Sequence, residues 1–234
     1  MEKVFKNNEK EVLVIDIGTS LANAIRRSVN EIETLAIKEV EIFRNDSALP
    51  DEILANRIGL IPLYNEKIKK EDVIQLKLKV EAKEDNFEVL SEMLGDSVVI
   101  KDIPIIKLNK GQKIELIAKA SLGKAQEHVR HLPGLVYYYH YNKINLKSDA
   151  KKHSELAERF PKVFEWDGKE LKVKNEWACN FDSEDVEVDG VEITPTEKLV
   201  FIIESWGNMS PSEILKESVK VLQKNLEEVK KVLK

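Results

Sequence analysis

Residues 210–233 read SPSEILKESVKVLQKNLEEVKKVL, and this stretch decides what kind of fold the chain requires. Ser210 offers an N-cap hydroxyl, and Pro211 suits the first helical position, where its missing N–H would have no partner anyway. Glu213 stands where a capping box needs its acid. A helix therefore starts at Pro211. Along it Leu215, Val219, Leu222, Leu226, Val229 and Leu233 recur at alternating spacings of four and three, and Ile214, Val221 and Val232 widen the stripe. A helix shows such a seam to another helix, although a surface helix lying on its own sheet carries a similar stripe. The stripe runs to within one residue of the chain end, where helices fray unless something docks on them. A partner helix is the expectation.

Upstream, Leu199–Ile203 reads as the strand that leads into this helix. At the other end of the chain the order is strand, helix, strand. Glu11–Ile17 is β-rich, Gly18-Thr19-Ser20 supplies a turn and a cap, Leu21–Ile32 has helical spacing, and Ile37–Phe43 returns as a strand. From Asn45 to about Val188 the signals are mostly β. Ile74, Leu76, Leu78 and Val80 alternate with Gln75, Lys77 and Lys79, the pattern of a strand with one wet face. Further apolar runs follow at Val98–Ile106, Ile114–Ala118 and Leu135–Tyr141, punctuated by Pro104, Gly111, Gly123 and Pro133-Gly134. Lys151–Asp189 turns polar and acidic, with a hairpin expected around Asp167-Gly168.

Composition narrows the function classes. The 234 residues are 42% hydrophobic and 34% charged, enough for a real core in one large or two modest domains. No apolar run approaches the roughly 18 residues that span a bilayer, and the opening MEKVFKNNEKEV lacks the apolar middle of a signal peptide. A cytoplasmic protein without membrane contact is expected. The single cysteine, Cys179, excludes an internal disulfide and any Cys-only zinc or iron–sulfur site within the chain. A net charge of −5 and a pI of about 5.6 argue against direct nucleic-acid binding, which draws on basic patches.

Several short patterns invite a chemical reading. Val14-Ile15-Asp16-Ile17-Gly18-Thr19-Ser20 is similar to the first phosphate loop of actin-like ATPases and sugar kinases, where Asp handles the metal and Gly-Thr approaches phosphate. An ATP-binding phosphotransferase using Asp16 and Thr19 is the alternative that follows, but the helix-forming Leu21–Arg27 stands where that loop needs a second strand. His128 and His131 form an H-x-x-H pair, with His140, His153 and Cys179 as further possible ligands. Spacing alone does not separate a metal site from ordinary surface or core histidines. Asp51-Glu52 and Asp182–Asp185 have no base or nucleophile beside them and read as solvated surface. Tyr137-Tyr138-Tyr139 would point neighbouring rings to opposite strand faces, which favours packing over base stacking.

In their order along the chain, several stretches resemble one family: the D subunit of archaeal RNA polymerase, with its eukaryotic third-largest counterparts and the bacterial alpha amino-terminal domain. Leu21-Ala22-Asn23-Ala24-Ile25-Arg26-Arg27 is similar to its first-helix signature, and Val40-Glu41-Ile42 with Asn45 to the strand after it. Asp51 through Leu63, DEILANRIGLIPL, is the most specific segment. Gly111-Gln112, Ala120-Ser121-Leu122-Gly123 and Glu127-His128 resemble a later signature, and Phe201–Ser205, Gly207 and Pro211–Leu215 the last strand and helix.

The resemblance implies an α+β fold: an alpha-N-terminal-domain-like dimerisation domain, a sheet with two packing helices, at residues 1–45 and 197–234. A mainly β insert domain would occupy 46–150 and 181–196, and a small degenerate ferredoxin-like lobe 151–180. It implies a non-catalytic assembly subunit that pairs with a small L-type subunit through Leu21, Ile25, Val29 and Ile32 of the first helix and through the seam of the last. Arg26 and Arg27 would meet the second-largest subunit, with small N- and P-type subunits as further partners. Some family members hold iron–sulfur clusters in the third lobe. Here Phe160 stands where a cysteine would precede the proline, so neither a cofactor nor a metal is expected. Ala125 in place of a glycine, His131-Leu132 in place of a Lys-Trp-like pair, and Asn56 in place of a histidine are further departures.

Overall fold

A computed structural model describes residues 2–65, 72–186 and 188–233. The chain forms two compact units, Met1–Ala24 with Val136–Ile203, and Ile25–Leu135 with Glu204–Lys234. Compactness thus groups the chain differently from the boundaries that the resemblance implies.

In the first unit, β1 (Glu2–Lys6) and β2 (Lys10–Ile15) form a hairpin. Its turn is closed by Asn7, whose Oδ1 accepts from the backbone N–H groups of Glu9 and Lys10 at 3.0 and 2.6 Å, an Asx turn. Glu11 is buried in β2, and Lys3 Nζ meets its carboxylate at 2.7 Å. The ion pair offsets the desolvation of the charge. α1 (Thr19–Ser28) follows and continues from this unit into the second.

The second unit is built on β3 (Thr34–Asn45), α2 (Asp51–Gly59) and β4 (Ile74–Glu81), then β5 (Phe87–Leu90), β6 (Pro104–Leu108) and β7 (Lys113–Gly123). Strand β7 lies between β3 and β4, antiparallel to both, and β5 pairs with β6. The expected alternation of β4 holds: Leu76 and Leu78 are buried, while Gln75, Lys77 and Lys79 face water. Leu54 and Ile58 of α2 enter the same core as Ile37, Leu78, Ile114 and Leu116.

The remaining elements are β8 (Gly134–Leu146), α3 (Glu155–Arg159), β9 (Phe164–Trp166), β10 (Leu171–Val173), α4 (Ser183–Val186), β11 (Val191–Ser205) and α5 (Pro211–Val232). Strands β1, β2, β11 and β8 make a four-stranded sheet in that order. Tyr137, Tyr139 and Tyr141 pack against Val12, Val200 and Ile202, whereas Tyr138 stacks on Phe201 with ring centroids 6.3 Å apart. The tyrosine run therefore alternates as packing requires. Between β8 and β11 a separate small core gathers Leu156, Val163, Phe164, Leu171, Cys179 and Val186. The hairpin expected around Asp167-Gly168 is β9 and β10.

Three local expectations are corrected. Residues 51–59, expected within a β-rich stretch, are helical because Leu54 and Ile58 stand one turn apart and both reach the core. The apolar run Val98–Ile106 is not one strand: Val98 makes only an isolated bridge to Leu63, and pairing resumes at Pro104. The α-helix expected to run to Ile32 ends at Ser28 and tightens into a 3-10 turn, Val29–Glu31.

Candidate partner interface

The start of α5 is held as its residues dictate. Ser210 Oγ accepts from Glu213 N–H at 3.3 Å, and the Glu213 carboxylate accepts from Ser210 N–H at 2.9 Å. Pro211, Ile214 and Ser218 are buried, with Ser218 Oγ donating to the Leu215 carbonyl at 2.8 Å. These residues form the face that the helix spends on its own chain. The expected seam lies beside it. Leu215, Val219 and Leu222 are half-buried, then Leu226 is 61% exposed, Val229 56% and Leu233 82%. Asn225, one residue before the seam opens, donates through Nδ2 to Glu31 Oε1 at 3.1 Å.

Helix α1 begins where Gly18 O accepts from the N–H groups of Leu21 and Ala22, both at 3.1 Å. Gly18-Thr19 thus leads directly into a helix rather than into the second strand of a phosphate-binding hairpin, and nothing in the structure supports the phosphotransferase alternative. Leu21 is exposed and Ile25 half-buried, whereas Val29 and Ile32 are buried within the chain. Arg26 and Arg27 close the last turn of α1, where cations complement the helix dipole. Arg27 is exposed, and its side chain has no hydrogen-bond or ionic partner among the described residues.

The segment from Asp51 to Leu63 proves to be a structural lock. Arg57 Nε donates to the Ile105 carbonyl at 2.8 Å and Nη2 to the Pro104 carbonyl at 2.7 Å, fastening α2 to β6. Asn45 Nδ2 donates to the Leu49 carbonyl and to Asp51 Oδ1, both at 2.8 Å, which shapes the turn before α2. Gln112 Nε2 donates to the Asp46 carbonyl at 2.6 Å from the far side. Asn45, Arg57 and Gln112 all lie in stretches that carry the family resemblance, but their locking role is not legible from sequence, because their partners are mainly backbone carbonyls.

The histidine pair divides its tasks. His131 is buried, its Nδ1–H donating to the Thr34 carbonyl at 2.9 Å, and burial pushes its pKa down from the ordinary value. Its ring lies so close to Gly123 that a Cβ there would fall 2.5 Å from Nε2, so the position requires glycine. His128 instead caps the following turn, its Nδ1 accepting from Arg130 N–H at 3.2 Å. His140 Nδ1–H donates to the Thr196 carbonyl, and His153 pairs with Glu155. Among the described residues no three of His, Cys, Asp and Glu gather as a metal site would need. Cys179 is buried, with its thiol pushed up by desolvation and its Sγ–H directed at the Phe181 carbonyl 3.5 Å away. One inward-facing thiol does not fit an iron–sulfur cluster, which takes several thiolates.

A domain whose last helix is capped, half-docked and apolar toward solvent belongs to the class of proteins completed by a partner chain. The model of the RNA polymerase Rpb3/Rpb11 dimerisation domain matches residues 11–226, and the chain belongs to that family. It is 31% identical to the DNA-directed RNA polymerase subunit Rpo3 of Pyrococcus horikoshii, over 95% of this chain and 93% of that one. It is also 32% identical to the Rpo3 of Pyrobaculum aerophilum, over 92% and 87%. With the Rpo3 of Archaeoglobus fulgidus the identity is 27%, over 99% and 95%.

Proposed function

We propose that this chain is an assembly subunit of a DNA-directed RNA polymerase, pairing with a smaller L-type subunit to make the platform on which the large subunits gather. The observation that carries the reading is α5. Its first turns are capped and seated, while Leu226, Val229 and Leu233 stand in water. Burying an aliphatic side chain of this kind contributes about 1.5–3 kcal/mol, so leaving three such positions uncovered is hard to reconcile with a chain that works alone. Membership of a dimerisation-domain family and archaeal relatives named as polymerase subunits support the same reading.

The finer roles follow from exposure. On this reading the partner covers Leu222, Leu226, Val229 and Leu233 of α5, Leu21 and Ile25 of α1 are further partner contacts, and Val29 and Ile32 are buried within the chain. Arg27, exposed at the end of α1, meets the second-largest subunit, where a guanidinium fork suits carboxylates and backbone carbonyls; Arg26 stands beside it. Small N- and P-type subunits are further contacts. The chain supplies no catalytic group, binds neither cluster nor metal, and works in the cytoplasm without touching nucleic acid directly. Purification of the tagged chain from its own cells tests this. Recovery of the small subunit and both large subunits in stable proportion is expected, and a chain recovered alone would contradict it.

A further inference from the structure

The seam of α5 has two edges, and they differ in charge. In its seven-residue repeat Leu215, Leu222 and Val229 alternate with Val219, Leu226 and Leu233, so Ser218, Asn225 and Val232 form one edge and Lys216, Gln223 and Lys230 the other. The first edge starts against the chain itself. Ser218 is buried, and Asn225 Nδ2 donates to Glu31 Oε1 at 3.1 Å. The second edge faces water: Lys216, Gln223 and Lys230 are all exposed, and none has a hydrogen-bond or ionic partner among the described residues.

The acids of the same helix are placed elsewhere. Glu213 closes the cap with Ser210, Glu217 pairs with Lys220 at 2.6 Å, and Glu228 borders a groove together with Glu31 and Glu33. Glu227 lies about 100° round the helix from Leu226, against about 40° for Lys230. The charges that border the seam are therefore those of Lys216 and Lys230, about 21 Å apart along the axis at 1.5 Å per residue.

This charge decides between occupants of the seam. A second copy laid antiparallel, with Gln223 over Gln223, would set Lys216 of each chain against Lys230 of the other. A parallel copy would need the Ser218 and Asn225 edge, which its own chain already engages. A helix with aspartates or glutamates along its facing edge meets both lysines with opposite charge. We propose that Lys216 and Lys230 select such an acidic-edged helix of the small partner subunit and exclude a second copy of this chain; the inference rests on the polymerase-subunit reading above. Exposed ion pairs add little affinity singly, but charges flanking an apolar seam set partner choice and orientation, and like charges brought together reject the wrong partner.

The test uses the full chain with the L-type small subunit. Lys216→Glu/Lys230→Glu reverses the edge, and Lys224→Glu/Lys231→Glu makes the same change in net charge at exposed positions off it. Glutamate and lysine have similar helix propensity, and circular dichroism verifies that each variant folds. The edge variant should bind at least about tenfold more weakly at about 0.05 M salt and approach the unmodified chain at about 1 M, where screening removes the effect. The control pair should change binding less than about threefold. Carbodiimide, which joins amines to carboxylates in contact, should link Lys216 and Lys230 to acids of the small subunit. Equal effects of the two variants would overturn the proposal, as would unchanged or tighter binding by the edge variant, cross-links confined to Lys224 and Lys231, or a tight dimer of the unmodified chain alone. Each of these with heterodimer formation intact counts against this proposal only, whereas failure of the unmodified chain to pair with the small subunit counts against the polymerase reading.

Discussion

Asn225 and Glu31, 194 residues apart in sequence, meet at 3.1 Å, and where they meet α5 stops belonging to its own chain. Before this contact the helix has a buried face through Ile214 and Ser218; beyond it Leu226, Val229 and Val232 are exposed. The bond therefore sets how far the free helix projects.

Asn225→Ala should loosen that exit without unfolding the unit. A hydrogen bond of this kind contributes about 0.5–1.5 kcal/mol. Amide hydrogen exchange in the free chain should accelerate at residues 226–232 and remain unchanged near Ile214. Uniform acceleration along α5 would mean that the contact supports the whole helix.

His131 makes stability depend on pH in a calculable direction. Burial lowers its pKa in the folded chain below the ordinary value of 6.5, so the unfolded chain takes up the proton first as pH falls. The stabilisation is thus fully present above about pH 6.5 and is lost on acidification toward the folded pKa. His131→Gln should flatten the change in denaturant midpoint between about pH 7 and pH 5. An unchanged slope would exclude His131 as its source.

The small lobe should depend on aromatic packing. Phe160 stacks on Phe181 at 4.3 Å, meets Phe164 edge-on at 6.4 Å and carries the Arg159 guanidinium 5.2 Å above its ring. Phe160→Ala should cost about 3 kcal/mol, the low end for a phenylalanine, because the ring is half-buried. It should also speed proteolysis within residues 150–186. Cys179→Ser should leave assembly intact, since a hydroxyl can donate to the same Phe181 carbonyl. Protein purified without oxygen should lack visible charge-transfer absorption and stoichiometric iron or zinc. About one metal ion per chain, lost on changing His128, His131 or Cys179, would contradict this account.

What the sequence made legible was governed by local rules. The α5 cap, the β4 alternation and the Asp167-Gly168 hairpin each depend on residues a few positions apart, and each forms as those residues dictate. Helix α2 was missed because Asp51–Gly59 offers only two deep anchors, Leu54 and Ile58, within a short span, and its fastening through Arg57 to Pro104 and Ile105 is non-local. The seam was legible as a stripe, but which of its residues the chain covers for itself was not, because the Ile214 and Ser218 face adjoins it.

The most direct measurement is the dissociation constant between this chain and the L-type small subunit, compared across three variants. Leu226→Asp alters an exposed seam position, Leu222→Asp/Leu226→Asp alters two, and Lys224→Ala alters an exposed neighbour off the seam. Circular dichroism of each free chain verifies folding, and the single Leu226 variant guards against any effect of the half-buried Leu222. A partner helix that buries Leu226 would have to bury a carboxylate in its place, at several kcal/mol or more. The account predicts at least 100-fold weaker binding for Leu226→Asp, no measurable binding for the double variant, and less than threefold change for Lys224→Ala. Equal effects at Leu226 and Lys224, or tight binding by the double variant, would contradict it.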